Sequence, residues 1–424
     1  MQPAVLFRLR PLGPWRFGPG EGGQHQVDAL FRSDRLYSAL TLAAQSLGFL
    51  EEWLDATARR QTPAVVFSSL FPYQGDTLFA PPPLTIWPPP ASSVTSPSPV
   101  FLSKMRWEAA RFIPVTTIET LLSGQSILAE QWIVDAESGC LLRRDRPSQS
   151  PFRVVTRTRA GVDRISQASA HVHASACVEF ESSSGLWSIL RFRDEAAEAD
   201  WSDRIKACLR LLADTGFGGH RRSGWGQTAD PEFRSGRWPG LLTPALDRLM
   251  RAGGVNGDAS LFWLLSLYSP APSDSVDWSL GNYGLVIRGG RIQSSAHAGT
   301  DTLKKNARMV AEGSVLSVGQ EPVGTAVDVA PDGFPHPVYR LGFSLSLKLP
   351  NLKEITETGP VETTPPDSPL EAEREGKTDA EEVPATQETQ EAAQEIQETQ
   401  EPAPEPPASE APGEEESERP DHEI

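Results

Sequence analysis

The sequence has few cysteines and no run of apolar residues long enough to cross a membrane. Its three cysteines, Cys140, Cys177 and Cys208, form no C-x-x-C pair, which argues against a disulfide scaffold and against a zinc ribbon. The longest apolar run, residues 261–265, suits a buried strand and is far shorter than the about 20 residues of a membrane span. The N-terminus shows no signal-peptide core. These absences predict a cytoplasmic protein with no membrane partner.

Motifs that carry chemistry are equally scarce. His171 and His173 are two residues apart, but no third ligand completes a metal site. The chain has no G-x-S-x-G nucleophile elbow and no evident Cys/His pair. The residues therefore indicate no metal and no cofactor. One alternative stays open, because the loop histidine His25 could serve as general base in metal-independent RNA cleavage.

Charge is unevenly distributed along the chain. Residues 351–424 carry 23 acidic and 4 basic side chains, which leaves 33 acidic and 35 basic ones in residues 1–350. The net charge of −17 therefore belongs to the C-terminal segment, and the rest of the chain is near neutral. Such a body can bind nucleic acid only through local basic clusters.

The C-terminal segment, residues 351–424, is dominated by Glu, Gln, Pro, Thr and Ala without apolar periodicity. It cannot bury enough apolar surface to offset the entropy of folding, so we predict a disordered acidic tail. A purely solvating role is favoured for it. The alternative is an acidic decoy that discourages non-specific RNA binding.

The most distinctive stretch runs from Thr215 to Gln227. Five glycines lie between Gly216 and Gly226, with two arginines and a serine in the middle. Glycine allows positive φ and close backbone approach, and the planar fork of arginine fits phosphate oxygens. The pattern predicts an anion-binding loop, with a nucleic-acid backbone as the anion. Trp225 is expected to pack beneath the loop rather than to stack on a base.

Two common phosphate-binding loops are excluded here. The spacing of Gly219 and Gly224 is that of a P-loop, but Trp225 and Gly226 stand where Lys and Ser or Thr are required. A dinucleotide fingerprint follows a strand and opens a helix, whereas this loop follows a helical pattern. A plain glycine-rich turn with solvated arginines remains the alternative.

Hydrophobic periodicity predicts strand, helix, strand, a long excursion, strand, strand, helix and strand. The first helix is expected to begin at an N-cap formed by Ser33 or Asp34 and to stop at Gly48. The order approximates a βαββαβ ferredoxin-like unit over residues 1–240, with a proline-rich insertion around residues 81–99. The predicted segments are strands 4–12, 63–70, 172–180 and 186–192, a helix at 195–213 and a last strand near 226.

Residues 241–350 read as a second, β-rich domain. A connector at 240–257 precedes a strand at 261–268. Gly289 and Gly290 are expected to form a hairpin turn, and residues 338–347 alternate as a strand does. The predicted fold class is therefore α+β with two domains.

Two further basic clusters are candidate RNA contacts. Lys104 and Arg106 interleave with aromatic residues, as on surfaces that bind single-stranded nucleic acid, although an ordinary amphipathic edge is an equal alternative. Arg164 belongs to a basic segment at residues 153–173.

These motifs resemble the RAMP superfamily of CRISPR systems and, within it, the fourth Csm subunit of type III-A complexes. The glycine-rich stretch from Gly218 to Gly226 resembles the superfamily's glycine-rich loop. Motifs in the order typical of the subunit lie at residues 31–40, 162–165, 312–314 and 336–340. The resemblance covers nearly all of residues 1–350 and excludes the acidic tail.

The resemblance implies two ferredoxin-like (RRM-type) domains, the second degenerate. It implies a non-catalytic, cofactor-free subunit that grips the repeat-derived 5′ tag of crRNA. It also implies docking to the large polymerase-like subunit and to a backbone RAMP subunit, with target RNA met only indirectly. The RNA-contacting residues would be Gly216, Gly218, Gly219, His220, Arg221, Arg222, Ser223, Gly224 and Gly226, with Arg164, Lys104 and Arg106 as secondary contacts.

Overall fold

The structure, a computed structural model, is a mixed α/β protein whose sheets are largely antiparallel. It describes residues 1–18, 27–96, 106–145, 149–162, 165, 169–252, 260–292 and 302–350. The predicted acidic tail lies outside the described residues. The helices are α1 (Ser33–Ser46), α2 (Leu50–Ala56), α3 (Val115–Leu122), α4 (Glu195–Thr215) and α5 (Pro244–Ala252).

The strands are β1 (Pro3–Leu9), β2 (Val65–Phe67), β3 (Phe71–Gln74), β4 (Thr77–Ala80), β5 (Val94–Thr95), β6 (Ile113–Pro114), β7 (Ile127–Leu128), β8 (Trp132–Val134), β9 (Leu141–Arg143), β10 (Phe152–Val162), β11 (Ser169–Phe180), β12 (Ser184–Phe192), β13 (Glu232–Arg237), β14 (Ser260–Leu264), β15 (Val276–Asn282), β16 (Leu285–Arg288), β17 (Ala307–Val310), β18 (Val315–Val318), β19 (Gly324–Asp328), β20 (Tyr339–Phe343) and β21 (Ser346–Lys348).

The largest sheet has the order β13-β1-β12-β3-β4-β6, and β2 also pairs with β12. Its central strands are nearly fully buried, because apolar residues fill both faces of β1 and β12. Along the chain, β1, α1, β2, β12, α4 and β13 give a strand–helix–strand–strand–helix–strand order. The predicted strand at 172–180 falls on β11, which pairs with β10 in a separate two-stranded sheet and is not part of the large one. The last strand, β13, starts at Glu232, six residues after the predicted start.

Helices α1 and α4 pack against each other and against this sheet. Leu36 and Leu40 of α1 and Ile205 and Leu209 of α4 are buried in the shared hydrophobic core. Helix α4 starts with a regular cap, in which the Asp194 carboxylate accepts the N–H of Ala197 at 2.8 Å. Such caps satisfy amide groups that the first turn leaves unbonded.

The predicted N-cap of α1 is wrong. Arg32 takes the N-cap position and makes no side-chain capping bond. Ser33 and Asp34 are instead buried, and both turn toward the second half of the chain. The hydroxyl of Ser33 accepts the N–H of Leu267 at 3.0 Å. A tertiary contact has thus replaced the local bond that the residue types suggest.

The second half contains a four-stranded sheet of order β15-β18-β14-β21 and two two-stranded sheets, β16–β17 and β19–β20. The predicted hairpin at Gly289 and Gly290 is wrong, because β16 pairs with β17 some twenty residues further on. The predicted connector at 240–257 contains helix α5. The predicted strand at 338–347 is two strands, β20 and β21.

The core extends across both halves of the chain. Trp263, Val315 and Phe343 belong to the same hydrophobic cluster as β1 and α1. The predicted boundary at residues 240 and 241 stays a prediction. Within the described ranges, no α-helix combines the length and the apolar character that crossing a bilayer requires.

Candidate nucleic-acid interface

The glycine loop (residues 216–226) joins α4 to the segment before β13, and its two ends pack back to back. Gly216 ends α4 with φ 90°, and Gly226 has φ 82°. A Cβ atom on Gly226 would lie 2.0 Å from the carbonyl oxygen of Phe217, and one on Gly216 would lie 2.5 Å from that of Trp225. Only glycine fits such positions. These two glycines are buried. They allow the two ends of the loop, which we call its neck, to lie in close contact.

The loop is anchored to residues near the end of the first strand. Phe217 is 0% exposed and stacks on Trp15 with ring centroids 5.1 Å apart. Gly219 donates its N–H to the carbonyl of Arg16 at 2.9 Å. A Cβ atom on Gly218 would lie 2.4 Å from that same oxygen. An aromatic cluster therefore holds the loop in place from beneath.

Much of the backbone of the loop is already hydrogen-bonded within the protein. The N–H groups that donate to backbone carbonyls belong to Gly216, Phe217, Gly219, Ser223, Gly224 and Gly226. These amide N–H groups are therefore not available to bind an anion. The structure shifts the emphasis from the backbone to the side chains at the tip.

The tip is a 3-10 turn over Arg221–Ser223. His220 and Gly224 flank the turn in the left-handed region, with φ 58° and 76°. Arg222 and Ser223 are exposed and Arg221 is half-buried. Among the residues that the structure describes, neither arginine has a carboxylate within ion-pair distance. The turn therefore presents uncompensated positive charge to solvent.

A third arginine reaches the loop from the long hairpin β10–β11. Arg159 of β10 donates to the hydroxyl of Ser223 at 2.5 Å. Its guanidinium lies 4.6 Å from the ring centroid of Trp225, a cation–π distance. Trp225 is 4% exposed and packs beneath the loop, as the sequence favoured.

The residues predicted from the sequence to contact RNA did not include Arg159. The available signal was the alternation of Arg153, Arg157 and Arg159, which puts all three on one face of a strand. The structure pairs Arg153 and Arg157 with Glu179 at 3.3 and 2.5 Å. Arg159 instead turns to the glycine loop.

The electrostatic environment of the loop is cationic. The pKa of His220 is lowered below its usual value, first by burial and then by the nearby charges of Arg16 and Arg159. A depressed histidine pKa is the expected effect of neighbouring cations. The lowered pKa favours the neutral form of His220, so the positive charge of the loop comes chiefly from the arginines.

Of the secondary contacts predicted from the sequence, only Arg106 lies within the described residues. Arg106 is exposed beside a 3-10 turn over Trp107–Ala109. No hydrogen bond, ion pair or ring contact joins it to the glycine loop in the described part of the chain. Lys104, Arg164 and His25 lie outside the described residues. Those same ranges contain no group of three or more side chains that could hold a metal ion.

Three of the other motifs, at residues 31–40, 312–314 and 336–340, contribute to a buried ion-pair seam, formed by Arg32, Asp34, Arg288, Glu312 and Arg340. Arg288 donates two bonds of 3.0 Å to Asp34, and Arg340 donates to the same carboxylate. Glu312 accepts from Arg32 and from Ser69. The seam links α1 to the second half of the chain, so these motif residues connect the two halves inside the protein.

Comparison with known proteins gives a consistent result. Residues 257–349 match the CRISPR Csm4 C-terminal domain family. The chain is 25% identical over 278 residues to the CRISPR system Cms protein Csm4 of Thermococcus onnurineus, spanning 59% of this chain and 80% of that protein. It is 26% identical over 344 residues to the Csm4 protein of Mycobacterium tuberculosis, spanning 78% and 94%.

Among solved structures, a chain from the Csm3–Csm4 subcomplex of a type III-A CRISPR-Cas interference complex aligns with a TM-score of 0.51 and 14% identity. The alignment covers 82% of this chain and 99% of that chain. At this identity the likeness concerns the fold.

In fold and in sequence the chain is similar to proteins of CRISPR systems. Within that class the chain is similar to Csm4, the fourth subunit of type III-A systems. The resemblance seen in the sequence motifs is thereby confirmed.

Proposed function

We propose that this chain is a non-catalytic RNA-binding subunit of a type III-A Csm complex and that its glycine loop grips the repeat-derived 5′ tag of crRNA. The observation that carries the proposal is the cluster of Arg159, Arg221 and Arg222 around an exposed turn. Arginine without a carboxylate partner is suited to phosphate, which its planar fork binds with two parallel hydrogen bonds. The near-neutral body of the chain makes this local charge necessary.

The loop suits a structured RNA end better than a generic anion. Its glycines hold the backbone closed while the charged turn projects, so a ligand meets preorganised side chains. Preorganisation lowers the entropic cost of binding. Ser223, held by Arg159, adds a hydroxyl that can hydrogen-bond a phosphate or a base edge.

The proposed partners follow from the resemblance and from the relatives. One relative of the same fold was solved as a Csm3–Csm4 subcomplex, which supports docking of this chain to a backbone subunit. Docking to the large polymerase-like subunit, indirect contact with target RNA and a cytoplasmic location complete the proposal. We also infer that β1, α1, β2, β12, α4 and β13 form a first ferredoxin-like unit and that the β-rich second half is a degenerate second one.

Fluorescence anisotropy with a labelled RNA carrying the 5′ tag tests the role of the loop in the assembled complex. Replacing Arg221 and Arg222 with Ala should weaken binding by about 1–3 kcal/mol for each arginine that binds specifically. It should also lower the slope of log affinity against log salt by about 1 for each phosphate that the variant no longer binds. Unchanged affinity and slope would contradict the proposal.

A matched control is available elsewhere on the surface. Arg59 and Arg60 are also adjacent, exposed arginines, at the end of α2. Arg59 pairs with Glu51 and Asp55, so its charge is compensated. The double Ala variant at these two positions should bind the tagged RNA as the unmodified chain does.

The non-catalytic assignment has its own test, because the alternative is cleavage by His25. Purified protein incubated with repeat RNA in EDTA should leave the RNA intact. Cleavage that persists in EDTA and disappears in His25→Ala would establish a metal-independent ribonuclease instead.

A further inference from the structure

A second cationic cluster lies at the ion-pair seam, away from the glycine loop. It comprises Arg35 of α1, Arg288 of β16, Arg340 of β20 and Lys304, which precedes β17. Among the described residues, Asp34 is the one carboxylate that bonds within this group, because Arg288 and Arg340 both donate to it. Arg32 of the seam is balanced separately by Asp28 and Glu312. Within the described part of the chain, the four cations thus have one hydrogen-bonded carboxylate, and the charge of Asp28 acts in addition on Arg35.

Two N–H groups of the cluster lack an acceptor among the residues that the structure describes. They are the buried Nη1 of Arg35 and the buried Nε of Arg340. Lys304 has no carboxylate within ion-pair distance among the described residues. Leaving a charged donor buried and unsatisfied costs more than removing an ordinary hydrogen bond. A bound anion would supply the missing acceptors and so remove this energetic cost.

Burial and the neighbouring cations lower the pKa values of two residues of the cluster, Lys304 and Arg35. Burial and the nearby charge of Arg340 lower the pKa of Lys304 to about 8. Burial and the charge of Arg288 lower the pKa of Arg35 to about 10. In both residues the surroundings disfavour the charged form, although Asp34 acts in the opposite direction.

We propose that Arg35, Lys304 and Arg340 form a binding site for a phosphate group at the ion-pair seam. Arg35 and Lys304 are only half-buried, so a ligand can approach the cluster from their side. A phosphate monoester carries close to two negative charges at pH 7. Its oxygens would accept from Arg35 and Lys304 and would offset the excess positive charge. This site is independent of the role proposed for the glycine loop.

Thermal unfolding of the full chain at constant ionic strength tests the site, with chloride exchanged for inorganic phosphate. The unmodified chain should gain unfolding temperature along a saturating curve. Arg35→Met and Lys304→Met should bind phosphate at least about tenfold more weakly, because each removes a charge-assisted hydrogen bond. Lys304→Arg should keep the effect.

The same variants give a readout that a merely structural role would not produce. Without phosphate, Arg35→Met and Lys304→Met should unfold at the same or a higher temperature than the unmodified chain, because they remove uncompensated charge. Lys305→Met is the matched control, since Lys305 is exposed and paired with Asp332 at 2.6 Å. It should leave the phosphate response unchanged.

The source of the phosphate is distinguished by three ligands: inorganic phosphate, a nucleoside 5′-monophosphate, and a short RNA with a 5′-hydroxyl, whose phosphates are all diesters. A response to any of them that is lost in Lys304→Met supports the site and identifies its ligand. No saturable response to all three, or an equal response in Lys304→Met, would overturn the proposal. Neither outcome depends on RNA binding by Arg221 and Arg222.

Discussion

The ion-pair seam and the glycine loop use arginine in opposite ways. In the seam, Arg288 and Arg340 are buried and both donate to Asp34. In the loop, Arg222 is exposed and has no carboxylate partner among the described residues. A protein that buries a guanidinium is destabilised unless a counter-charge is buried beside it, whereas an exposed guanidinium can bind a ligand. The motif residues therefore separate into those whose charge is paired inside the fold and those whose charge faces solvent.

Asp34→Asn should cause the largest loss of stability, because it removes the counter-charge of the seam. The change keeps the size of the side chain but leaves Arg288 and Arg340 without a counter-charge in a buried site. We expect a loss of about 3–5 kcal/mol in the free energy of unfolding, measured by urea denaturation. Asp76→Asn is the control, because Asp76 is fully exposed and its contact with Arg8 is 3.7 Å long. If both variants unfold alike, the seam has no special structural role.

Gly226→Ala tests whether the loop depends on packing as strongly as the seam depends on charge. The new Cβ atom would meet the backbone of Phe217 at 2.0 Å, and φ is positive. We expect the free energy of unfolding to fall by more than about 2 kcal/mol. Gly48→Ala isolates the backbone cost, since Gly48 has φ 85° but no atom within 4 Å of a new Cβ. Equal losses would show that the neck of the loop tolerates a side chain.

Acid should affect the seam before the loop. The guanidinium groups of Arg288 and Arg340 hold the pKa of Asp34 well below its usual range, against the opposing effect of burial. A depressed folded-state pKa contributes stability that is present above the unfolded value, about 3.9, and is lost as the pH falls below it. Unfolding temperatures at pH 7 and pH 3 should differ less in Asp34→Asn than in the unmodified chain. An identical acid response would contradict this assignment.

Arg222→Ala should have the smallest effect on stability. The side chain is exposed and makes no ion pair in the described ranges, so the free energy of unfolding should change by no more than about 0.5 kcal/mol. Its consequence should appear only in RNA affinity. A large loss of stability would mean that the loop arginines hold the fold, as those of the seam do.

Several features were predictable because their signals are local. The apolar pattern of β1 and β12, the stripes of α1 and α4, and the stop at Gly48 each depend on residues a few positions apart. The position of the glycine loop after the last helix of the unit followed from the same pattern. The existence and the chain order of β1, α1, β2, β12 and α4 were therefore predictable from the sequence.

Other features depend on contacts that no local pattern reveals. Asp34 has the residue type of an N-cap, but Arg340 lies 306 positions away along the chain and bonds to it. Arg159 reaches Ser223 across 64 positions. The glycine pair at 289 and 290 favours a hairpin, yet β16 pairs with β17. In each case tertiary pairing overrode a weaker local preference.

The sequence by itself determined the resemblance to Csm4, most strands and helices around the large sheet, and a loop rich in glycine and arginine. Only the tertiary structure decided which arginines are buried and which are exposed. The physical reason is that burial of a charge depends on partners brought together by folding. Residue type sets the charge, and the fold decides whether that charge is neutralised inside the protein or offered to a ligand.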